Sequence, residues 1–337
     1  MPAARPIVIL GPTAGGKSDL AVGLAERAHG IVVGADSMQV YRHLDAGTAK
    51  PPPNLRRRVP HELIDIAEPH ERFTVHDWLH RADALIEAGV ATGRTPVVVG
   101  GTNLYLKALL EGLFDGPGQD AGFRASLDGL PDAELHARLA RVDPPAAGRI
   151  AVADRQRLTR ALEVFHLTDT PISVLQTQWA EEAAAQTTYR HDPVLIGLRW
   201  AVDDINPRIN LRVRAMFYPD KVDAALAADV CINGESLPDE VARLDAAGLL
   251  PPGSQCAEAL GYKQVLAAIA PDRHPRAADP LIRKLDDAFE RTKILTRRFA
   301  KQQRTWLKRF RGVRWVEMPG EDAAGDAAER VMRDAAR

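Results

Sequence analysis

The chain has 337 residues, which suggests one large domain or two domains of ordinary size. Hydrophobic residues make up 45% and charged residues 26%, as in ordinary soluble enzymes, and the formal net charge is -1. A globally basic nucleic-acid-binding protein is therefore excluded, and nucleic-acid contacts would have to come from local basic patches. Two cysteines without metal-ligand spacing exclude a disulfide framework and favour a reducing compartment.

No segment has the pattern of a targeting signal or a membrane span. The first apolar run is four residues long, too short for a signal-peptide core, and no later run reaches spanning length. We therefore expect a cytoplasmic protein without a membrane partner. A monomer is expected as well.

The first half of the chain alternates predicted strands with predicted helices. A buried strand over 6–10 is followed by a glycine-rich loop, a helix over 17–28 and an apolar run over 31–37. A helix over 75–90 then leads to a strand over 96–99 and a further helix. This alternation predicts a parallel sheet covered on both faces, with ligands at the carboxyl ends of the strands.

The pattern changes near residue 115, after which the chain reads as helical until a strand over 192–200. A long helix over 280–310 and a short strand precede an Ala/Asp-rich tail. The predicted fold class is α/β, with a P-loop NTPase-like parallel sheet core, a mostly helical insertion domain and a long basic C-terminal helix. The predicted domains are a discontinuous core of 1–114 and 193–318, a helical insertion of 115–192 and a weakly ordered tail of 319–337.

The glycine-rich loop fits the pattern G-x-x-x-x-G-K-[ST], which builds a cradle for a phosphate chain. Its backbone N–H groups converge on an anion, the following helix adds its dipole, the lysine adds a charge, and the serine can ligate Mg²⁺. The predicted diphosphate-binding residues are Gly11, Pro12, Thr13, Ala14, Gly15, Gly16, Lys17 and Ser18, with Ser18 as the metal ligand.

The loop alone does not decide the reaction. A nucleotide hydrolase also needs an Asp at the end of a second strand to hold Mg²⁺, whereas the strand over 96–99 ends in Gly100-Gly101-Thr102. The one carboxylate that ends a nearby apolar run is Asp36. It is open to three interpretations: a magnesium partner, a general base, or a cap of the following helix.

Six segments appear in an order that resembles the bacterial tRNA dimethylallyltransferases, also called tRNA isopentenyltransferases. They are "GPTAGGKS" (11–18), "ADSMQVYRHLDAGTAKP" (35–51), "PHELIDI" (60–66), "VGGTNLYLKALLEG" (99–112), "RQRLTRALEV" (155–164) and "ALGYKQ" (259–264). The resemblance covers roughly residues 6–316. It implies transfer of a dimethylallyl group from dimethylallyl diphosphate to N6 of the adenosine 3′ of the anticodon, in tRNAs that read U-initial codons. Pyrophosphate would then be the leaving group.

The resemblance also implies roles for single residues. Asp36 matches the general base, Lys17 and Arg212 match groups that stabilise the leaving pyrophosphate, and Thr102 matches a residue beside the target adenosine. Arg208, one turn before Arg212, shares its helix face. From the residues alone, Thr102 would be a helix N-cap, and the two arginines are open to two interpretations: cations at the diphosphate or a solvated helix face. The implied cofactor is Mg²⁺, and the implied partners are tRNA and dimethylallyl diphosphate.

Five separate parts of the chain match tRNA-contacting positions of the family. The predicted tRNA-binding residues are Asp36, Ser37, Met38, Gln39, Thr102, Arg124, Gln156, Arg157, Leu158, Thr159, Arg160, Gly261, Tyr262 and Lys263. A second basic surface is predicted on the C-terminal helix, where nine Lys or Arg and no acid occur between Arg291 and Arg311. Such a stripe could follow an RNA backbone or be a solvated face, and the absence of acids favours RNA.

Two features depart from the family pattern. Glu258 stands where relatives often carry a neutral or basic residue, and residues 218–236 form an insertion of about one helix near Arg212. Three alternative functions stay open from sequence. An adenylate isopentenyltransferase would need no basic helices, a small-molecule kinase would need a second carboxylate for Mg²⁺, and a non-catalytic RNA-binding protein would not need an intact phosphate loop.

Overall fold

The computed structural model describes residues 5–113, 116–185 and 188–318. Its strands are Ile7–Leu10 (β1), Ile31–Gly34 (β2), His61–Glu62 (β3), Pro96–Val99 (β4), Val194–Arg199 (β5) and Arg314–Glu317 (β6). All pair in parallel, in the order β3-β2-β4-β1-β5-β6. The prediction of an α/β fold with a parallel sheet is confirmed.

Helices connect and cover these strands. They are Lys17–Arg27 (α1), Pro53–Arg58 (α2), Val75–Ala91 (α3), Asn103–Glu111 (α4), Ala121–Leu127 (α5), Asp132–Val142 (α6), Pro144–Ala147 (α7), Arg155–Thr168 (α8), Ile172–Ala185 (α9), Val202–Phe217 (α10), Ala224–Val230 (α11), Leu237–Ala246 (α12), Tyr262–Ile269 (α13) and Leu285–Leu307 (α14). Two 3₁₀ turns, Pro219–Lys221 and Pro275–Ala277, complete the regular elements of the described residues. No helix among those residues combines the length and the apolar character needed to cross a bilayer.

Two predicted elements have different bounds in the structure. The predicted helix over 280–310 begins only at Leu285, because the Asp287 carboxylate accepts the N–H groups of Arg283 and Lys284 and so caps the helix there. The strand β3 was missed, since two residues carry too little periodicity to be recognised. The predicted tail of 319–337 lies outside the described residues.

The described chain divides into two compact units. One contains the residues up to Leu110 and from Arg190 onward, and the other is Glu111–Tyr189. The first unit holds the sheet, whose central strands are buried on both faces. The second unit packs five helices around its own apolar core. That core contains Leu127, Leu135, Leu139, Ala146, Ala147, Leu158, Ala161 and Leu162.

The carboxyl ends of β2 and β4 approach closely in the first unit. A Cβ atom at Gly100 would lie 2.0 Å from the carbonyl oxygen of Ala35, far inside van der Waals contact. The Thr102 N–H also donates to that carbonyl at 3.2 Å. A residue without a side chain is therefore required where the two strand ends meet.

We predict that Gly100→Ala lowers the free energy of unfolding by about 1–3 kcal/mol, because the added methyl forces the strand ends apart. Gly118→Ala is the control, since a Cβ there has no neighbour within 4 Å. Urea unfolding of the two variants measures the difference. A Gly100→Ala protein as stable as the wild type would contradict the close approach.

Candidate active site

A cavity of about 720 Å³ opens at the carboxyl ends of the strands in the first unit. Residues 13–19 of the phosphate loop and α1 form one side, and Asp36 and Gly100–Gly101 follow two of the strands. Arg208 and Arg212 of α10 form another side. Charged and polar groups from distant parts of the sequence thus converge where open parallel sheets bind ligands.

The phosphate loop is held in shape by side chains behind it. Trp200 Nε1 donates to the Gly15 carbonyl at 3.1 Å, and Arg208 Nε donates to the Ala14 carbonyl at 3.1 Å. The Arg208 guanidinium also stacks over the Trp200 ring, 4.9 Å from its centroid. These contacts fix the carbonyl groups of Ala14 and Gly15 and so hold the loop backbone in one conformation.

Not every predicted loop residue faces the cavity. Gly11 and Pro12 are buried beneath the loop, and the Pro12 carbonyl accepts the N–H of Gly15. The Thr13 N–H is also engaged, with the side chain of Gln303. The N–H groups of Lys17 and Ser18 begin α1 and so lack intrahelical acceptors. The anion cradle is therefore the end of the loop and the first turn of α1.

Lys17 is buried at the floor of this cradle, with its side-chain nitrogen 2.7 Å from the Pro12 carbonyl. Burial, and then the nearby charge of Arg212, lower the pKa of Lys17 to about 7, against the opposing charge of Asp36. Burial likewise lowers the pKa of Arg212. Among the described residues, the hydrogen bonds of Arg212 are long, 3.5 Å to Thr13 Oγ1 and 3.4 Å to the Ala49 carbonyl. Lys17 and Arg212 thus face one cavity, and neither forms an ion pair within 4 Å in the part of the chain that the structure describes, as expected of an anion site.

Asp36 uses one oxygen for structure and leaves the other for the cavity. Its Oδ1 accepts the N–H groups of Met38 at 2.9 Å and Gln39 at 3.3 Å, but residues 37–40 form a turn and no helix, so the interpretation of Asp36 as a helix cap is wrong. Oδ2 lies toward Gly101 and accepts no hydrogen bond from the described residues. Because the carboxylate is both fixed and half free, it suits a general base.

Thr102 is tied to the segment that follows Asp36. Its Oγ1 accepts the Ser37 N–H at 2.9 Å and lies 3.2 Å from Ser37 Oγ. Gln39 continues this segment and donates from Nε2 to the carbonyls of Thr48 and Ala49. The Thr102 side chain therefore joins two strand ends, and only its backbone carbonyl accepts the first N–H groups of α4.

Gln303 completes the cavity and was missed from the sequence. Its Oε1 accepts the Thr13 N–H at 2.8 Å, and its Nε2 donates to the Gly101 carbonyl at 2.8 Å. The residue is 1% exposed and lines the cavity from α14. In the sequence this helix stands out only by its basic residues, and a glutamine among them belongs to no motif.

The insertion of 218–236 also lines the cavity. Asp223, Leu226, Asp229 and Val230, in and beside α11, form part of the wall next to α10. The sequence left open whether this segment shapes the cavity or decorates the surface, and the structure gives it the first role.

The predicted RNA-contacting residues of the second unit fall into two groups. Gln156 and Arg157 at the start of α8 are exposed, and Arg157 pairs with Asp154 at 3.4 Å. Leu158, in contrast, is fully buried in the helical core, so its side chain is not available to RNA. Thr159 is half-buried.

Arg124 and Arg160 are held by a buried carboxylate. Both guanidinium groups contact Glu163, Arg124 at 2.6 Å and Arg160 at 2.7 Å. Burial alone would raise the pKa of Glu163, but the two arginines and the Asp120 N–H lower it to about 2. The two arginines therefore organise the unit around Glu163, and each keeps about a third of its side chain exposed.

The segment Gly261–Lys263 is less exposed than predicted. Tyr262 is fully buried and donates its hydroxyl to Glu240, so its side chain cannot touch RNA in this structure. Gly261 begins α13 with a φ of 92°, and Lys263 pairs with Glu258. Glu258, which differs from the residue type common in relatives, is thus the ion-pair partner of Lys263.

The basic stripe of α14 is partly neutralised. Arg291 pairs with Asp279 at 2.9 Å, and Lys293 pairs with Glu290 at 2.7 Å. Both acids precede the stripe in sequence and neutralise its first two cations. Trp306 is half-buried and packs edge-to-face against Phe310, as a core aromatic does. Arg298, Lys301 and Lys308 remain exposed and could meet a phosphate backbone.

A metal would find few protein ligands here. No group of three His, Cys, Asp or Glu side chains within the described ranges could hold an ion. Ser18, in the first turn of α1, lines the cavity beside the anion cradle. One hydroxyl fits Mg²⁺ only if phosphate oxygens and water supply the remaining ligands, which is how Mg²⁺ commonly binds with phosphates.

Comparison with known proteins decides the family. A model described as IPP transferase matches residues 39–310. The chain belongs to this family. The tRNA dimethylallyltransferase of Geobacter sulfurreducens is 42% identical over 317 residues, covering 93% of this chain and 92% of the relative. That of Anaeromyxobacter dehalogenans is 39% identical over 321 residues, with 94% and 93% covered.

Solved structures agree with this assignment. The tRNA isopentenylpyrophosphate transferase of Bacillus halodurans superposes with a TM-score of 0.65 at 30% identity, covering 98% of this chain and 95% of that one. A eukaryotic dimethylallyltransferase acting on tRNA shares the fold, with a TM-score of 0.69 at 22% identity and coverage of 98% and 79%.

We predict that inorganic pyrophosphate binds with uptake of a proton by Lys17. The pKa of Lys17 is about 7 in the free cradle, and the anion's charge raises it, so affinity falls as pH rises above 7. Calorimetry at pH 8 in buffers of different ionisation enthalpy measures the uptake. Lys17→Arg is the control, because arginine stays charged and any proton uptake in that variant comes from the ligand. The difference in uptake between the two proteins gives the contribution of Lys17. Equal uptake by both proteins would contradict the lowered pKa.

Proposed function

We propose that the protein transfers a dimethylallyl group from dimethylallyl diphosphate to N6 of the adenosine 3′ of the anticodon, position 37. The tRNAs would be those that read U-initial codons, and the products are N6-isopentenyladenosine and pyrophosphate. The observation that carries the proposal is one cavity that holds a phosphate loop, a buried lysine, a half-buried arginine and a carboxylate of which one oxygen accepts no hydrogen bond from the described residues. The similarity to tRNA dimethylallyltransferases of other bacteria supports the same reaction.

The leaving group is stabilised at the cradle. As the bond between allylic C1 and the diphosphate oxygen breaks, negative charge builds on pyrophosphate. Lys17, Arg212 and the N–H groups at the start of α1 bind that charge, and preorganised donors of this kind are usually the largest catalytic contribution. Mg²⁺, bound by Ser18 and the diphosphate, would neutralise part of the same charge.

The nucleophile is oriented at the opposite wall. The exocyclic amine of adenine is a poor nucleophile because its lone pair is delocalised into the ring. Asp36 Oδ2 accepts a proton of N6 as the new bond to C1 forms, and Oδ1 stays fixed by the N–H groups of Met38 and Gln39. The Ser37–Thr102 hydrogen bonds hold this segment in place.

The target adenosine must leave the anticodon stack to reach such a cavity. Exposed basic and polar side chains support an RNA partner: Gln156 and Arg157 on α8, Arg298 and Lys301 on α14, and Lys308 directly after α14. A small-molecule kinase is less well supported, since β4 is followed by Gly100 where a carboxylate would be needed. A cytoplasmic location and a monomer stay predictions.

To test this function, the protein is incubated with radiolabelled dimethylallyl diphosphate, Mg²⁺ and either unmodified tRNA or AMP, and the label in each acceptor is measured. We expect label in tRNA, at an adenosine beside the anticodon, and none in AMP. Label in AMP alone would move the protein to the nucleotide-prenylating enzymes. Consumption of ATP without prenyl transfer would indicate a kinase.

The same assay tests the general base. We predict that Asp36→Asn lowers the single-turnover rate by about 10²–10⁴-fold, while the amide oxygen keeps the two backbone hydrogen bonds and thus the fold. Asp272→Asn, an exposed carboxylate outside the cavity, is the control and should react normally. An unchanged rate for Asp36→Asn would remove this residue from the mechanism.

A further inference from the structure

One wall of the cavity is a tight loop of residues 44–50 whose backbone is strained. Thr48, Ala49 and Lys50 line the cavity. Ala49 has a φ of 46°, a left-handed conformation that costs a non-glycine residue free energy. Such a conformation persists only where neighbouring groups fix it, so the contacts of this loop decide its shape.

The cavity side of the loop holds two residues of the site through its carbonyl groups. The Ala49 carbonyl accepts from Arg212 Nη2 at 3.4 Å and from Gln39 Nε2 at 3.3 Å. The Thr48 carbonyl accepts from Gln39 Nε2 at 3.1 Å. A displacement of this loop would therefore move the guanidinium that faces the anion cradle.

The opposite side of the loop rests on a buried glutamate of α12. Glu240 is 1% exposed, and its Oε2 accepts the N–H groups of Asp45 at 3.1 Å and Ala46 at 2.9 Å. Its other oxygen accepts the hydroxyl of Tyr262. A buried carboxylate with three donors is a rigid support, and its removal leaves two buried N–H groups without acceptors.

Tyr262 supports the loop by packing as well. A Cβ atom at Gly47 would lie 2.3 Å from Cε2 of the Tyr262 ring, so the loop backbone is in direct contact with the ring. Asp45 adds ion and hydrogen bonds within the same network, to Lys50 Nζ at 2.8 Å and to Asn233 Nδ2 at 2.6 Å. The underside of the loop is thus fully engaged by buried polar and aromatic groups.

We propose that Glu240 and Tyr262 are positioning residues that hold the 44–50 loop so that Arg212 faces the diphosphate. This inference rests on the proposed function only in taking the cradle as a diphosphate site. It assigns to Tyr262 an internal role in place of the RNA contact expected from the sequence. Glu240 touches neither the cradle nor the reacting atoms and acts through the loop carbonyls.

The test measures binding of inorganic pyrophosphate to the full chain by calorimetry in a magnesium-containing buffer. We expect Glu240→Leu, which keeps side-chain volume but removes both acceptors, to weaken pyrophosphate binding about tenfold, as loss of one charge-assisted contact would. Glu240→Gln should stay within about twofold, because its oxygen can accept the two N–H groups and its NH₂ can donate to Tyr262. Since no prenyl transfer is measured, the result does not depend on the acceptor or the reaction.

Asp245→Leu is the matched control. Asp245 lies on the same helix, is 6% exposed at its side chain and pairs with His274 at 2.7 Å, but does not line the cavity. Asp245→Leu should lower the melting temperature and keep the pyrophosphate affinity. Equal losses of affinity in Glu240→Leu and Asp245→Leu, or a wild-type affinity in Glu240→Leu, would overturn the proposal.

A second variant covers the case in which Glu240→Leu does not fold. Gly47→Ala pushes the loop against the Tyr262 ring without changing any charge. We expect a similar loss of pyrophosphate affinity in the folded protein. A folded Gly47→Ala protein that binds pyrophosphate like the wild type would also overturn the proposal.

Discussion

The site depends on keeping backbone N–H groups and buried cations directed at one point before any anion is present. Like-charged groups and parallel dipoles repel one another, so a cradle of this kind relaxes unless it is fixed from behind. Trp200 and Arg208 fix two carbonyls of the phosphate loop, and Gln303 fixes one of its N–H groups. Residues far from the loop in sequence thus hold its donors in place. Such preorganised donors are what electrostatic catalysis requires.

The cations show the electrostatic cost of this arrangement. Burial lowers the pKa of both Lys17 and Arg212, which means that their charged forms are less stable in the free protein than in water. A bound diphosphate would relieve that cost. Lys50 is the contrast: it is also fully buried, but Asp45 and Asp65 pair with it at 2.8 and 2.6 Å. The protein supplies the anionic partners of Lys50, whereas a bound diphosphate would supply the anionic partner of Lys17.

Much of this could be predicted from the sequence because the signals are local. The phosphate loop is a contiguous pattern, and Asp36 follows an apolar run that predicts a strand. Because the carboxyl ends of parallel strands lie at one edge of the sheet, the two could be expected to lie close together. Gln303 could not be predicted, since its partners Thr13 and Gly101 are 290 and 202 residues away, respectively, and its helix carries no motif.

Burial explains the misassigned side chains. Leu158 and Tyr262 occupy segments that match RNA-contacting motifs, but a motif marks a stretch of chain and does not tell which of its side chains points inward. The pairing of Arg124 and Arg160 with Glu163 was also not predictable from a motif. Glu163 lies one turn after Arg160 on α8, but Arg124 lies on α5 and reaches it only in the folded unit.

The most direct test of the account is pyrophosphate binding by Gln303→Leu, because that change removes the link between the phosphate loop and Gly101 without removing a charge. Gln302→Leu, the exposed neighbour, is the control. We predict that Gln303→Leu binds pyrophosphate about tenfold more weakly than the wild type, and that Gln302→Leu binds it normally. Wild-type affinity in a folded Gln303→Leu protein would contradict the claim that this cradle is held open by the residues behind it.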